Sequence, residues 1–152
     1  MNKQKLILDQ IDKKISSVKI ADSFAIPPSG WIYSIRQSLG MSLRQLGEKL
    51  KITPQSVKEI EVREENGNIS LNVLRQVSSC LDMKLVYVFV PNSGSLQQMI
   101  DNRALEIAKE IVLRTSNSMI LEDQKNSEER LQKAILEKAA EIKQEMPRYL
   151  WD

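Results

Sequence analysis

The sequence has 152 residues, of which 41% are hydrophobic and 28% are charged, and its formal net charge is +2. This size and apolar content fit one globular domain, or a small domain with appendages, and argue against wholesale disorder. The chain has no histidine, which excludes histidine-based metal sites and the catalytic triads and dyads that use histidine. Its one cysteine, Cys80, excludes an internal disulfide and fits a reduced, cytoplasmic setting. No glycine-rich phosphate-binding motif occurs, and no apolar run approaches the ~20 residues of a membrane span, so we expect no enzyme, cofactor, metal or membrane partner.

The first part of the chain predicts two helices that are separated by a proline break. Apolar residues recur at roughly helical spacing through residues 3–23, and Pro27 with Pro28 ends that helix. Ser29 is the expected N-cap of a second helix at residues 31–39. We therefore expect an N-terminal helix and linker at residues 1–26, followed by a domain at residues 27–82.

The stretch SLRQLGEKLKITPQSVKEIE, which begins at Ser42, predicts two short helices in immediate succession. Ser42 and Gln45 have the spacing of a capping box and open the first helix. Thr53 is the expected N-cap of the second helix, with Pro54 at its first position, and this helix runs to about residue 62. Two amphipathic helices this close together predict a helix-turn-helix arrangement over a shared core.

The segment MKLVYVFVP predicts a β-strand at residues 83–91, because it is crowded with β-branched and aromatic residues. It follows a helix predicted at residues 71–81, which Ser70 caps. A lone strand leaves its backbone N–H and C=O groups unpaired, so it needs a partner. We expect pairing with a second copy of the chain, and the alternative is pairing with the stretch before Pro27. The predicted dimer strand contains Leu85, Val86, Tyr87, Val88 and Phe89.

Residues 92–152 predict a helical region that binds a partner. Ser95 and Gln98 form another capping box, and the helix that they open carries apolar residues on one face at Leu96, Ile100, Ala104, Ile107 and Ile111. A last helix is marked by the apolar positions Leu131, Ile135, Ala139 and Ile142. The sequence ends in PRYLWD, a tail with two aromatic residues that we expect to pack against the protein.

The second helix of the pair would bury its apolar residues and leave a polar N-terminal end in solvent. The residues that this helix shows to solvent are Gln55, Ser56, Lys58 and Glu59. Such an end can enter the major groove of DNA, where glutamine can read adenine and serine can contact any base. The alternative is a hairpin of two helices in an ordinary bundle, and the residues of the pair alone leave both interpretations open.

The order of these helices resembles the XRE family of phage-repressor-like DNA-binding domains. The resemblance rests on IRQSLGMSLRQLGEKLKITPQSVKEIE followed by SLNVLRQVSSCLDM. It implies that the start of the second helix faces the bases and that the start of the helix before it lies at phosphates. Lys51 stands where the family often has glycine, and Leu43 stands where it often has glutamine. The DNA contacts expected from the resemblance, with Arg36 and Arg44 at phosphates, are Arg36, Ser42, Arg44, Gln45, Thr53, Pro54, Gln55, Ser56 and Lys58.

A narrower resemblance covers nearly the whole chain, from about residue 5 to residue 152. PPSGWIYSIRQSLGMSLRQLGEKL, CLDMKLVYVFVP, MILEDQ and the final LWD are similar to the family called mobile mystery protein A. That family is encoded beside mobile mystery protein B, which carries a Fic domain of the kind that transfers AMP from ATP to protein hydroxyls. The resemblance implies an antitoxin-like regulator that restrains a Fic partner. Fic enzymes are commonly inhibited through a helix with the motif Ser/Thr-x-x-x-Glu-Gly/Asn. Ser118 and Glu122 have this spacing, but Asp123 stands where the motif has glycine or asparagine.

Together these patterns predict a mainly α fold: a lambda-repressor-like helix-turn-helix domain, one β-strand and a helical C-terminal extension. The predicted function is a dimeric regulator that binds operator DNA and a Fic-domain protein. The alternative is a protein-interaction module that inhibits a Fic protein without sequence-specific DNA binding, and an enzyme ranks last.

Overall fold

A computed structural model of the chain describes residues 3–18, 24–116 and 124–152. The described residues form seven α-helices and one short 3-10 helix, in two compact units. Helices α2 to α5 form one unit, and α1, α6, α7 and the 3-10 helix form the other. The elements are α1 Lys3–Ser16, α2 Trp31–Ser38, α3 Leu43–Leu50, α4 Pro54–Asn66, α5 Leu71–Cys80, α6 Leu96–Ser116, α7 Gln124–Glu145 and the 3-10 helix Arg148–Trp151.

The predicted β-strand is wrong, because the described part of the chain contains helices and irregular segments but no strand. Residues 84–90 make no backbone hydrogen bond with any other described residue. A β-strand is defined by backbone hydrogen bonds to a neighbouring strand. A segment with high β-propensity does not form one when no neighbouring strand is present. The fold described here is therefore all-helical, and the prediction of a mainly α fold with one strand is corrected accordingly.

Local capping signals account for three of the helix starts in the first unit. Ser42 and Gln45 form the complete predicted capping box at α3. The hydroxyl oxygens of Thr53 and Ser70 accept the backbone N–H groups of Ser56 and Val73, which caps α4 and α5. These three predicted caps are confirmed.

The start of α2 differs from the prediction, because its N-cap is Gly30 and not Ser29. Glycine has no side chain that could cap a helix. The Glu64 carboxylate on α4 replaces it and accepts the backbone N–H of Ile32 at 2.7 Å. A Cβ atom on Gly30 would lie 2.7 Å from Glu64 Oε1, so this cap requires glycine at the position.

The core of the first unit takes one buried apolar residue from each of its four helices. These residues are Ile32, Leu46, Val57 and Val77. Partly buried apolar residues surround them, so each helix contributes a stripe to the core and leaves its other face in solvent. This core holds α3 and α4 side by side and fixes which face of α4 points outward.

A buried ion pair also ties α4 to α2. The Arg36 guanidinium donates to both carboxylate oxygens of Glu61, with Nε–Oε1 at 2.5 Å and Nη2–Oε2 at 3.3 Å. A third donor of Arg36, Nη1, reaches the backbone oxygen of Met41 at 2.9 Å. Only 7% of Arg36 and 3% of Glu61 are exposed, so both charges are satisfied inside the protein and not by water.

The second unit is built on α6 and α7, which share an apolar core. The predicted stripes are confirmed at Ile100, Ala104 and Ile107 on α6 and at Ile135, Ala139 and Ile142 on α7, all of which are buried. Leu150 of the 3-10 helix completes the core. Arg103 donates to the backbone oxygens of Leu150 and Asp152, so the end of the chain is fastened to α6.

The first helix, α1, belongs to this second unit. Its Leu8 packs against the core of α6 and α7. One turn later, the Asp12 carboxylate accepts the backbone N–H groups of Leu96 at 2.8 Å and Gln97 at 3.1 Å. A carboxylate at this place satisfies two unpaired donors of the helix and meets the positive end of its dipole. The helix-turn-helix unit is therefore inserted in the sequence between two elements of the second unit.

We expect Glu61→Gln to destabilise the first unit by about 3–5 kcal/mol, because it leaves the buried Arg36 charge uncompensated. Replacing both partners, in Arg36→Met with Glu61→Leu, should cost much less than Glu61→Gln. The measurement is urea unfolding followed by Trp31 fluorescence in a Trp151→Phe background, since the other tryptophan lies in the second unit.

The matched control for that measurement is Glu48→Gln, which removes a carboxylate from an exposed arginine pair in the same unit. Exposed pairs contribute about 0–1 kcal/mol, so the control should change the free energy of unfolding little. Equal losses in Glu61→Gln and Glu48→Gln would contradict a structural role for the buried pair.

Candidate nucleic-acid interface

Helices α3 and α4 are joined by a three-residue turn, residues 51–53, as the helix-turn-helix prediction requires. Lys51 has a left-handed backbone, with φ 58° and ψ 42°, which costs a residue other than glycine about 1–2 kcal/mol. The turn then passes so close to α3 that a Cβ atom on Gly47 would lie 2.7 Å from the backbone oxygen of Ile52. Gly47 thus permits the close packing of the turn, while Lys51 accepts the strained conformation.

The N-terminal end of α4 is exposed and preorganised. Thr53 Oγ1 accepts the backbone N–H of Ser56 at 3.1 Å, and the Thr53 hydroxyl lies 2.9 Å from Ser56 Oγ. Pro54 has no N–H to satisfy at the first helical position. The exposed Gln55 side chain makes no hydrogen bond within the described part of the chain, so both its donor and its acceptor remain available.

The start of α3 presents polar groups that the capping box uses only in part. Ser42 and Gln45 satisfy each other, because Gln45 Oε1 accepts the Ser42 N–H at 2.8 Å. This bond leaves the amide nitrogen of Gln45 free to donate. Arg44 pairs with Glu48 at 2.5 Å, but both side chains are about two-thirds exposed. An exposed pair of this kind is weak, so Arg44 can exchange Glu48 for another anion at small cost.

The expected phosphate contact through Arg36 does not fit the structure. All of its described hydrogen bonds are internal, to Glu61 and to the backbone of Met41. Exposing this guanidinium to DNA would break a buried ion pair, which is costly. We therefore correct this assignment and give Arg36 the structural role of holding α4 on α2.

The surface of α3, the turn and the first half of α4 has an excess of positive charge. Lys49, Lys51 and Lys58 are exposed, and none of them forms an ion pair with a described residue. Arg44 adds a fourth positive charge, against Glu48 and Glu59. Because Glu61 is buried, its charge does not offset this excess at the surface.

The predicted dimer residues lie in the irregular segment after α5. In the sequence, the boundary between the two units falls within this segment, between Val88 and Phe89. Leu85 and Val88 are half-buried, whereas Val86 is 68% exposed, Tyr87 59% and Phe89 90%. The Tyr87 hydroxyl accepts from Arg75 Nη2 at 3.3 Å, and the Arg75 guanidinium also lies 5.6 Å from the Tyr87 ring centroid. The proposed inhibitory residues Ser118 and Glu122 lie outside the described residues.

No other kind of site stands out in the described residues. No three acidic or cysteine side chains among them are grouped so that they could hold a metal ion. No helix in the described ranges is both long enough and apolar enough to cross a membrane.

Comparison with known proteins identifies the first unit. Residues 32–88 match the family model described as Helix-turn-helix, and this match covers a little over a third of the chain. No significant match was found among curated proteins or among solved structures. The predicted helix-turn-helix is thus confirmed, and the matched residues extend from α2 through α5. Residues 32–88 therefore form a helix-turn-helix domain, and this match supports a DNA-binding regulator of the XRE type.

Proposed function

We propose that this protein is a transcriptional regulator that binds double-stranded operator DNA through the N-terminal ends of α3 and α4. The observation that carries the proposal is the exposed, capped start of α4, where Gln55 has free hydrogen-bonding groups beside Ser56 and the unpaired Lys58. Gln55 and Ser56 read base edges, and Thr53 and Pro54 set the position of that end. Ser42, Arg44, Gln45 and Lys58 contact the DNA backbone.

The DNA proposal is tested by measuring affinity for a duplex from the chain's own promoter and for a scrambled duplex, each at several salt concentrations. Gln55→Ala should cost about 1–3 kcal/mol on the promoter duplex and relax specificity, because it removes a base contact. Lys58→Ala should weaken binding to both duplexes alike and lower the salt slope by about one unit, because it removes a phosphate contact.

Matched controls lie on the second unit, where Gln132→Ala and Lys109→Ala remove the same exposed residue types. Neither control should change affinity. If the quadruple alanine variant of Arg44, Gln55, Ser56 and Lys58 binds the promoter as tightly as the parent, the DNA assignment fails. The alternative, an interaction module without sequence-specific DNA binding, would then be favoured.

We further propose that the regulator acts as a homodimer and that Val86 and Tyr87 form part of the contact between the two copies. The support is their exposure, which leaves two large apolar side chains in water next to backbone groups without described partners. A two-fold dimer would hold two copies of α4 at a fixed spacing, ideally about 34–36 Å for consecutive major grooves.

The dimer proposal predicts a light-scattering mass of twice the chain mass of 17.4 kDa for the parent. Val86→Asp should give the monomer mass, because it places a charge in an apolar contact. Leu136→Asp is the control, since Leu136 is similarly exposed at 62% but lies on α7. A monomeric parent, or a Val86→Asp variant that stays dimeric, would rule out this contact.

The resemblance to mobile mystery protein A supports one more proposal, an antitoxin-like role toward a Fic-domain protein. The second unit is the part of the chain that the DNA-binding function does not use, and we assign partner binding to it. Ser118 and Glu122 are the proposed inhibitory residues on the basis of their spacing alone.

The Fic proposal is tested by mixing the chain with the Fic protein encoded beside it and measuring AMP transfer from labelled ATP. The parent should suppress transfer at an equimolar ratio, and Glu122→Gly should suppress it less while it still binds. The control Lys58→Ala should suppress transfer fully, because it affects only DNA binding. Unchanged transfer in the presence of the parent would exclude the role, whereas full suppression by Glu122→Gly would exclude only this glutamate.

A further inference from the structure

Tyr33 on α2 is half-buried and lies beside two cationic side chains, although the core of its unit does not include it. The Arg36 guanidinium carbon is 5.5 Å from the centre of the Tyr33 ring, and the Lys58 ammonium nitrogen is 6.0 Å from it. The Tyr33 hydroxyl makes no hydrogen bond with any described residue. Nothing in the packing of the unit therefore explains why this position carries a tyrosine hydroxyl.

The two cations beside the ring are not equivalent. Glu61 already neutralises Arg36 inside the protein, so that charge is not available to a ligand. Lys58 is exposed and forms no ion pair within the described residues, so its charge is uncompensated. The negative face of an aromatic ring attracts an ammonium group at this distance without using its N–H donors. The ring thus restrains a flexible side chain and leaves its donors free for an anion.

Lys58 also lies three residues after Gln55, so the two residues share a face of α4. Gln55 is at the N-terminal end of α4, whereas Lys58 lies one turn further along the helix, next to Tyr33 on α2. A lysine at the side of a recognition helix is suited to the DNA backbone, because the base edges lie deeper in the groove. A tyrosine hydroxyl is one of the groups that donate to DNA phosphates.

We propose that Tyr33 and Lys58 form a phosphate-binding pair, in which the Tyr33 hydroxyl donates to an oxygen of the same backbone phosphate that Lys58 neutralises. This inference rests on the proposed function, and it adds α2 to the DNA interface. No sequence pattern predicts this pair, because its members are 25 residues apart and on different helices.

The decisive variant is Tyr33→Phe, which removes the hydroxyl but keeps the ring beside Lys58 and Arg36. Affinity for the promoter duplex and for the scrambled duplex should fall by the same factor, about two- to tenfold, because one hydrogen bond to a phosphate is lost. The salt slope should stay at the parent value, since no charge is removed. Urea unfolding followed by Trp31 fluorescence should match the parent, which separates a lost contact from a damaged fold.

Coupling between the two residues is measured with the double variant Tyr33→Phe, Lys58→Ala. Its loss of affinity should be smaller than the product of the two single losses, because both side chains contact one phosphate. The control is Tyr149→Phe, which removes a tyrosine hydroxyl from the second unit and should leave DNA affinity unchanged.

Three results would contradict the proposal that Tyr33 and Lys58 bind the same phosphate. The first is a Tyr33→Phe variant with parental affinity, and the second is one that loses affinity for the promoter duplex alone, which would indicate a base contact. The third is a double variant whose losses simply multiply, which would place the two residues on separate phosphates. In each of these cases the parent still binds DNA, so the proposed function survives. A parent that binds neither duplex overturns the proposed function and the pair together.

Discussion

Two carboxylates on α4 determine how the helix-turn-helix unit is assembled. Glu61 pairs with the buried Arg36, and Glu64 caps the start of α2 by accepting the Ile32 N–H. A buried charge without its partner costs several kcal/mol, so α4 cannot rotate or slide on α2 without losing these contacts. The apolar core alone would tolerate such shifts more easily, because hydrophobic contacts are non-directional. The outward direction of Gln55 and Lys58 depends on this inner pair of acidic residues.

The same arrangement changes the electrostatics of the surface. Counted along the chain, α4 is an acidic helix, but its acidic residues do not all contribute to its exposed face. Glu61 is enclosed with Arg36, and Glu64 is occupied at the start of α2. The exposed face of α4 therefore carries less negative charge than the composition of the helix suggests. The placement of charges, and not the formal net charge of +2, makes this face compatible with a polyanion.

The second unit is held together by interactions between parts of the chain that are distant in sequence. Asp12 near the start of the sequence caps α6, and Arg103 on α6 binds the backbone of Leu150 and Asp152. Leu150 is buried, whereas Tyr149 and Trp151 on either side of it are exposed. The prediction that this tail packs is therefore confirmed, although the buried residue is Leu150 and not an aromatic one. A short 3-10 turn can direct only some of its side chains inward, and here the leucine takes the core position.

Local sequence patterns were sufficient to predict many of the helices of this protein. Capping residues such as Ser42, Thr53 and Ser70 act on the backbone within three residues, so they predicted where helices begin. Helical periodicity predicted the stripes of α6 and α7, because the spacing that puts apolar residues on one face is a property of the helix itself. The helix-turn-helix pair followed from both signals, and the family match confirmed it.

Only the tertiary structure decided the contacts that join distant residues. The sequence predicted Arg36 as a surface cation, but the fold pairs it with Glu61, which is 25 residues away. Glu64 caps α2 because Gly30 has no side chain that would occupy the same space. Residues 84–90 have strand-like composition, but no other described segment supplies the hydrogen bonds that define a strand. Tyr33 gained its place beside Lys58 in the same way. Helix caps and helical periodicity depend on residues that are close together in the sequence, so the sequence alone predicts them. Ion pairs, caps supplied by another helix and strand pairing depend on residues that are far apart in the sequence, so only the fold decides them.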